Sequence, residues 1–261
     1  ETGILVKSFK VQGNSLLEEQ KIQDLLVTFQ NREMSFLEIE NVVIEVGDLF
    51  RKAGWTVKAY LPEQDINNGQ VLIQIIEARL GKVVIDGEVP SPATAESLKT
   101  IIQAGQATGK FLNGSAVDRA LLIANDISGV YVTGNLTEGT GDSETDLVLK
   151  AAPKPFKDGS ITLDNTGSKG TGANRFALNL NLNSIVYGGD QFNGSTILTE
   201  ASQYTRLGWK VPVGSDGWTV GASASQMNYT ALQFQETVAP TGSSETLSLI
   251  HISEPTRQAE I

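Results

Sequence analysis

Apolar and amide side chains alternate without a break in the stretch Phe176-Ala-Leu-Asn-Leu-Asn-Leu-Asn183. Because successive side chains of a strand point to opposite faces, one face is apolar and the other carries Asn179, Asn181 and Asn183. A helix would spread the leucines around its circumference, so the pattern predicts a β-strand. An all-amide face suits a wall with lipid on one side and water on the other, as in a transmembrane β-barrel. A soluble β-domain remains the alternative from this pattern alone.

The same kind of alternation extends through residues 153–246, where helical periodicity disappears and Gly, Asn, Ser and Thr dominate. Tight-turn sequences such as Gly188-Gly-Asp190 and Gly214-Ser-Asp-Gly217 separate the apolar runs. Several runs reach the roughly 9–11 residues that a tilted transmembrane strand needs. We predict five strands: Gly159–Asp164, Arg175–Val186, Phe192–Glu200, Thr205–Val213 and Trp218–Tyr229. Residues 153–246 are therefore expected to form the first antiparallel strands of a transmembrane β-barrel.

The bulk composition excludes several classes of function. The 261 residues include no Cys and one His, and the formal net charge is −10. Disulfides, Cys-ligated zinc and thiol catalysis are therefore excluded, and the acidic balance disfavours nucleic acid as a partner. No run of about 18 apolar residues occurs, so we expect no transmembrane helix. Any membrane crossing then has to use a closed barrel.

The first 152 residues form a twofold repeat of about 75 residues. Val11-Gln-Gly13-Asn14 matches Ile85-Asp-Gly87-Glu88, and Gly54-Trp-Thr-Val57 matches Gly129-Val-Tyr-Val132. Each unit has the predicted order strand, helix, helix, strand, strand. We place the first α+β module at residues 1–78 and the second at residues 79–152.

Helix boundaries in both units follow from caps and apolar periodicity. Two Ser-x-x-Glu capping boxes, at Ser15 and Ser35, predict helix starts in the first unit. The second helix of that unit has one apolar stripe, and Gly54 follows it as a helix stop. In the second unit we predict helices over Thr94–Gln103 and Ser115–Ser128.

Several motifs together resemble a known family. Leu61-Pro-Glu-Gln-Asp-Ile-Asn-Asn-Gly69 with Val71-Leu-Ile-Gln-Ile-Ile-Glu77 resembles the closing hairpin of a polypeptide-transport-associated (POTRA) domain. Asp118-Arg-Ala-Leu-Leu-Ile-Ala-Asn125 resembles the second helix of its partner domain, and Gly159-Ser-Ile-Thr-Leu-Asp-Asn-Thr-Gly167 resembles a first barrel hairpin. The chain thus resembles the two-partner (type V) secretion transporters of the haemolysin and filamentous-haemagglutinin secretion/activation family.

This resemblance implies a pore in the Gram-negative outer membrane, with lipid around its barrel and two POTRA modules in the periplasm. The modules would bind the N-terminal secretion domain of an unfolded exoprotein, such as a haemolysin or adhesin, without a nucleotide. The family's plug helix, most of its barrel strands and its lumen loop have no counterpart in this sequence. Five strands leave two unpaired edges, so we expect that this chain alone does not insert or transport.

The candidate binding site follows from strand edges. A strand edge can take up an extended peptide by β-augmentation, and we expect free edges at Val57–Tyr60 and Val130–Leu136. Phe50, Trp55 and Tyr60 are candidates for an adjoining groove, with core packing as the alternative. The predicted exoprotein-binding residues are Phe50, Trp55, Val57, Tyr60, Val130, Val132 and Gly134. The predicted barrel-motif residues are Asp164, Asn165, Gly167, Gly189 and Asp190.

The last fifteen residues, Leu247–Ile261, share nothing with the preceding alternation. They resemble the read-through translation of a transposon-type sequencing-library adapter, so we expect residues 247–261 to be foreign. A genuine divergent loop is the alternative.

No arrangement of residues favours an enzyme. The single histidine, His251, lies in the suspect tail, so Ser-His and Cys-His catalysis are not expected. Glu38, Glu40 and Glu45 lie off the apolar stripe of their helix, which favours a solvated face over an acid–base pair. We therefore expect no catalysis, no cofactor and no metal site. Two alternatives to a secretion pore remain: an outer-membrane protein-assembly factor and a free periplasmic peptide-binding module.

Overall fold

The computed structural model describes residues 3–66, 68–232 and 239–253. Residues 4–77 form module 1, in which two helices cover a small sheet. Its elements are β1 (Ile4–Val6), β2 (Ser8–Gln12), α1 (Glu19–Leu26), a 3₁₀ turn (Val27–Phe29), β3 (Arg32–Met34), α2 (Phe36–Lys52), β4 (Val57–Tyr60) and β5 (Gln70–Glu77).

The central strand of module 1 is β5, which lies between β2 and β4. It is parallel to β2 and antiparallel to β4. The core joins the inner faces of α1 and α2 to this strand and includes Ile22, Phe50 and Ile73, all almost fully buried. The predicted single strand Ile4–Val11 is in fact two strands. Its first part pairs with β3, a three-residue strand too short for periodicity to indicate.

Module 2 repeats this topology. Its elements are β6 (Arg79–Ile85), α3 (Ala95–Gly105), α4 (Gly114–Asn125), β7 (Val130–Glu138) and β8 (Glu144–Pro153). The strand order is β6-β8-β7, with β6 parallel and β7 antiparallel to the central strand. The two modules therefore place corresponding strands at corresponding edges, and the predicted α+β repeat is confirmed.

The two predicted capping boxes have different outcomes. At the start of α2, the Glu38 amide donates to Ser35 Oγ at 3.3 Å, and the Ser35 amide donates to Glu38 Oε2 at 2.6 Å. The box predicted at Ser15 is wrong, because α1 begins at Glu19. The Ser15 amide and hydroxyl instead donate to the carboxylate of Glu77, at the end of β5. Hydrogen bonds from Ser15 to a carboxylate distant in the sequence thus form in place of the predicted local cap.

Residues 157–253 form one open antiparallel sheet in which each strand pairs with the next along the chain. Its strands are β9 (Lys157–Asp164), β10 (Arg175–Asn183), β11 (Gln191–Leu198), β12 (Ser202–Val213), β13 (Trp218–Thr230) and β14 (Thr241–Ser253). The sequence predicted the first five strands and missed β14. In the part of the chain that the structure covers, no helix is both long and apolar enough to cross a membrane.

The two faces of the large sheet differ as the alternation predicts. On one face Asn179 donates to Ser160 Oγ at 3.3 Å, and Asn181 donates to Asp158 Oδ1 at 2.9 Å. On the other face, large apolar side chains stand exposed, including Leu178, Leu180, Leu207 and Val220. The sheet thus has one polar face, held by cross-strand hydrogen bonds, and one apolar face exposed in this chain.

Strand β14 crosses the predicted boundary between native residues and tail at 246/247. Leu247 and Leu249 pair with Ala224 and Ala222 on the apolar face, but Ile250 and Ile252 fall on the polar face. The tail therefore departs from the alternation of the other strands. Strand pairing uses backbone groups that any extended segment offers, so the foreign origin of the tail stays a prediction. Residues 254–261 lie outside the described residues.

Candidate functional site: strand edges and the joint below the large sheet

The open edge of module 2 is β7, the last strand of its sheet. In an antiparallel strand the N–H and C=O of one residue point to the same side, and that side alternates along the strand. Every second residue of β7 therefore turns both backbone groups away from β8. Which residues do so decides where an extended peptide can pair.

The side chain of Asn125 occupies part of this edge. The Val132 amide donates to Asn125 Oδ1 at 2.9 Å, and Asn125 Nδ2 donates to the Val132 carbonyl at 2.7 Å. The backbone N–H and C=O of Val132 therefore point away from β8, and both already have a hydrogen-bond partner. The Val130 amide likewise donates to the Ile127 carbonyl at 3.4 Å. By alternation, Gly134, Leu136 and Glu138 present their backbone groups at the open edge.

In module 1 the start of the corresponding edge is occupied by module 2. The Thr56 amide donates to the Leu112 carbonyl at 3.0 Å, and the Gly114 amide donates to the Gly54 carbonyl at 2.8 Å. Trp55 forms an antiparallel bridge with Asn113. The backbone on either side of Trp55 thus joins the two modules and is not open to a peptide.

The open part of the module 1 edge lies within β4. Leu72 of β5 turns both its amide and its carbonyl to the β4 side, where Gln64 binds them, and the β4–β5 register puts Leu72 opposite position 62. Even-numbered residues of β4 therefore face β5, in agreement with the bond from the Ala78 amide to the Thr56 carbonyl at 3.1 Å. Alternation then makes Val57 and Ala59 the residues whose backbone groups point outward. The open edge of module 1 is therefore two residues long, one shorter than that of module 2.

Beyond β4 a second amide side chain ends the ladder. The Leu72 amide donates to Gln64 Oε1 at 2.7 Å, and Gln64 Nε2 donates to the Leu72 carbonyl at 2.8 Å. The β4–β5 register, continued by two residues, places Pro62 opposite Leu72. Because proline has no N–H, it cannot extend the ladder, and Gln64 supplies both missing bonds.

The predicted exoprotein-binding side chains lie in different environments. Phe50 is fully buried in the core of module 1, so the prediction that it lines a groove is corrected to its alternative, core packing. Val130 and Val132 are also buried, beneath α4. Tyr60 is 36% exposed, with Lys58 Nζ 5.8 Å from its ring centroid.

Gly134 has no side chain to offer a peptide, and its surroundings show why. A Cβ atom there would lie 3.0 Å from Leu121 Cδ1, because α4 passes close over the strand. A groove of about 690 Å³ lies beyond the end of β4, between Phe36 and the segment 61–66. Phe36 is 60% exposed beside it and was not predicted as a site residue.

The predicted barrel-motif residues separate into two groups at opposite ends of the large sheet. Asp164 ends β9 and accepts from Arg175 Nη2 at 2.8 Å and from the Thr166 amide at 3.0 Å. The Gly167 amide donates to the Ala173 carbonyl at 2.9 Å, which closes the same loop, and Asn165 lies exposed within it. These residues hold the β9–β10 connection, at the end of the sheet remote from module 2.

Asp190 lies at the other end, in the turn between β10 and β11, and is fully buried. Its carboxylate accepts from the amide of Ile185 at 2.8 Å, the amide of Val186 at 3.2 Å and the amide of Tyr187 at 3.1 Å. Trp209 Nε1 donates to the same carboxylate at 2.7 Å. Burial raises the pKa of Asp190, but these four donors outweigh burial, and its pKa lies below the ordinary value.

This turn is bonded to module 2. The Ser128 amide donates to the Gly189 carbonyl at 3.2 Å, and Ser184 Oγ donates to the Ser128 carbonyl at 2.8 Å. Gly189 has φ +92°, and a Cβ there would lie 3.2 Å from Ile127 Cγ2. Arg119 Nη2 donates to the carbonyl of Asp216, in the next turn on the same side. Module 2 is thus fastened to two neighbouring turns of the large sheet.

Sequence reasoning missed the residues that limit these edges and brace this turn. No local pattern distinguishes Gln64, Asn125 or Trp209 from its neighbours in the sequence. Their roles depend on partners 7 to 19 residues away in the chain, which no local pattern reveals. Within the described residues, no group of three or more side chains is arranged to hold a metal ion.

Comparisons with known proteins agree with this architecture. Residues 4–78 match the model of the ShlB-type POTRA domain, and residues 143–251 match that of the haemolysin secretion/activation proteins ShlB/FhaC/HecB. The outer membrane transporter CdiB of Dickeya dadantii is 26% identical over 86% of this chain and 40% of its own length. The heme/hemopexin transporter protein HuxB of Haemophilus influenzae strain 86-028NP is 22% identical over 84% of this chain and 39% of its own length.

Solved structures show the same fold. CdiB from Escherichia coli superposes with a TM-score of 0.64 at 22% identity, covering 95% of this chain and 47% of that one. BamA from Haemophilus ducreyi lacking POTRA domains 1–3 gives a TM-score of 0.55 at 15% identity, over 93% of this chain and 47% of that one. The chain spans about two fifths of the length of the curated relatives that it matches. The chain thus carries a region that matches the ShlB-type POTRA domain, followed by a strand-rich region that matches the haemolysin secretion/activation proteins ShlB/FhaC/HecB.

Proposed function

We propose that this chain is part of an outer-membrane transporter of a two-partner secretion system. In this proposal the two modules bind an unfolded exoprotein in the periplasm and pass it through a barrel to which the large sheet contributes. One observation carries the proposal. Modules with short open strand edges are bonded directly to the turns of a sheet that has one apolar and one polar face.

The faces of the sheet support a position in the outer membrane. Exposed leucines such as Leu178 and Leu180 lose contact with water only if lipid covers them, whereas Asn179 and Asn181 suit a wet lumen. The turns bonded to module 2 then lie at the periplasmic end of the barrel, and the Asp164 loop lies at the outer end. The name of the similar CdiB, outer membrane transporter, is consistent with this location.

The strand edges support binding by β-augmentation. Val57 and Ala59 in module 1, and Gly134 and Leu136 in module 2, offer outward backbone groups to an extended chain. An unfolded exoprotein has such groups along its whole length, whereas a folded one has already paired them. Backbone pairing thus selects for the unfolded state, and Tyr60 beside the module 1 edge adds side-chain contact.

Outer-membrane protein assembly is the competing function for a chain of this fold. The likeness to BamA concerns the fold alone, at 15% identity. The match to the secretion/activation model over residues 143–251 favours secretion instead.

Secretion can be tested with the full-length gene and a candidate exoprotein, sought in the neighbouring reading frames. The two are co-expressed in a Gram-negative host, and the exoprotein is measured in the medium and in the periplasm. We expect release to the medium only when the transporter is present, and periplasmic accumulation when residues 4–78 are deleted. If deletion instead lowers the amount of unrelated outer-membrane proteins and leaves the exoprotein in the medium unchanged, the secretion function is wrong.

A further inference from the structure

The turn between β10 and β11 exposes three apolar side chains in succession. Ile185 is 45% exposed, Val186 is 74% exposed and Tyr187 is 69% exposed. Turns are usually polar, because their side chains face water. A consecutive apolar run at such a position therefore needs a reason.

The conformation of this run is fixed from within. The carboxylate of Asp190 accepts the three successive amides of Ile185, Val186 and Tyr187, so the backbone of the run wraps around a buried charge. Ser184 Oγ also accepts from the Gly189 amide at 3.3 Å. With the backbone turned inward, the three side chains are left on the outside.

The run continues the apolar face of the large sheet. Trp209, which donates to the same carboxylate, lies between Phe192 and Ala222 on that face. At the same end of the face, the paired residues Val213 and Trp218 are 48% and 45% exposed. The Asp190 carboxylate thus links the exposed run directly to Trp209, on the face that lipid covers in the proposed function.

The opposite side of the turn is fixed to module 2. Ser184 and Gly189 both bond to Ser128, so any surface that holds the exposed run also holds module 2 at a set distance. Tyrosine and tryptophan are enriched where hydrocarbon meets the headgroups, because one end of each ring is apolar and the other is polar. Tyr187 matches that boundary, and Ile185 and Val186 add apolar surface beside it.

We propose that Ile185–Tyr187 is a membrane anchor that inserts into the periplasmic interface of the outer membrane and holds module 2 against the base of the barrel. This inference rests on the proposed function, because it needs the sheet to stand in a bilayer. Its occupant is the lipid interface rather than an exoprotein segment. The carboxylate that holds the run also binds Trp209 on the apolar face, so the run adjoins that face, whereas in the proposed function a passing chain travels along the polar face.

The test places single environment-sensitive labels in the full-length transporter, in a background without other cysteines, reconstituted into phosphatidylethanolamine/phosphatidylglycerol vesicles. Val186→Cys reports on the anchor. Asp216→Cys, in the neighbouring turn that also bonds to module 2, is the matched polar control. Leu178→Cys, on the apolar face, reports on the wall itself. Each label is exposed to lipids that carry a nitroxide near the headgroup or deep in the acyl chain.

We expect the label at position 186 to lose fluorescence mainly with the shallow nitroxide, and the label at 178 to lose it with the deep one. The label at 216 should be quenched only by aqueous iodide. If 178 responds to lipid and 186 responds only to iodide, the anchor is wrong and the proposed function stands. If 178 does not respond to either nitroxide lipid, the membrane wall is wrong, and the anchor falls with it.

Discussion

Asn125 bonds twice to the backbone of Val132, through its Oδ1 at 2.9 Å and its Nδ2 at 2.7 Å. A side chain from the end of α4 thus takes the place of a strand at the edge of β7. Unpaired edges recruit any extended chain, and natural proteins restrict them. Here the restriction closes the edge at Val132 and leaves it open from Gly134 to Glu138.

Replacing Asn125 should therefore weaken module 2 and lengthen its edge. In Asn125→Ala, the outward amide and carbonyl of Val132 lose their partners, and we expect a loss of about 1–3 kcal/mol in the free energy of unfolding. Urea denaturation measures this loss, and amide hydrogen exchange should quicken at Val132. The control is Asn135→Ala, an exposed amide on β7 itself, which should change stability by no more than about 0.5 kcal/mol. Equal effects of the two substitutions would contradict the role of Asn125.

The open backbone at Leu136 gives a second prediction. In Leu136→Pro the lost N–H points away from β8, so the fold should survive, as prolines do at strand edges. A peptide pairing there loses one hydrogen bond, so we expect weaker binding of the exoprotein secretion domain and less exoprotein in the medium. Leu136→Val keeps the N–H and is the matched control. The binding edge lies elsewhere if the proline variant folds and secretes as well as the valine variant.

The sequence predicts those features of this chain that depend on local periodicity. Alternation at Phe176–Asn183 located a strand and both of its faces, and Ser35 with Glu38 located a helix start. Ser15 carries the same local signal but bonds to Glu77, 62 residues away. Phe50 shows a second limit of sequence-based prediction. An aromatic residue near a helix end gives the same sequence pattern whether it packs in a core or lines a groove. The amide caps formed by Gln64 and Asn125 depend on which strand ends at an edge, and only the assembled sheet determines that.

The cap at Ser35 should contribute measurably to module 1. Ser35→Ala removes the acceptor for the Glu38 amide, and we expect a loss of about 1 kcal/mol in the free energy of unfolding. Ser35→Thr keeps a hydroxyl at the position and should lose less. Chemical denaturation followed by far-ultraviolet circular dichroism measures both. The cap is not a stabilising element if alanine and threonine are equivalent.

The other half of this capping box should depend on pH. Hydrogen bonds from the Ser35 backbone and then its side chain lower the pKa of Glu38 from its usual value of 4.5. A carboxylate with a lowered folded-state pKa adds stability that is present above its unfolded pKa and is lost as pH falls through the folded one. We therefore expect the stability difference between the protein and Glu38→Gln to be larger at pH 7 than at about pH 3. A difference that does not change between these pH values would show that the charge of Glu38 has no role in the cap.

The brace at Asp190 should be more sensitive to loss of its charge than to loss of one donor. In Trp209→Phe the carboxylate keeps three backbone donors, so the turn should remain closed, with a modest increase in hydrogen exchange over residues 184–190. In Asp190→Asn an NH2 group replaces one carboxylate oxygen, so that a donor faces backbone N–H groups. A buried, unsatisfied amide costs about 1–3 kcal/mol, and repulsion between donors adds to it. We therefore expect faster exchange in Asp190→Asn than in Trp209→Phe.

Hydrogen exchange with mass spectrometry on the full-length transporter, reconstituted into lipid vesicles, measures both variants, and Asp216→Asn is the control. Asp216 takes part in the neighbouring turn through its backbone carbonyl, so its side-chain change should leave exchange over residues 184–190 unaltered. The pKa of Asp190 is lowered, so its contribution is fully present above about pH 4, the ordinary value for Asp. It is lost only as the pH falls further. Opening of the turn already at about pH 5 would contradict a carboxylate stabilised by four donors, because such a group remains charged there.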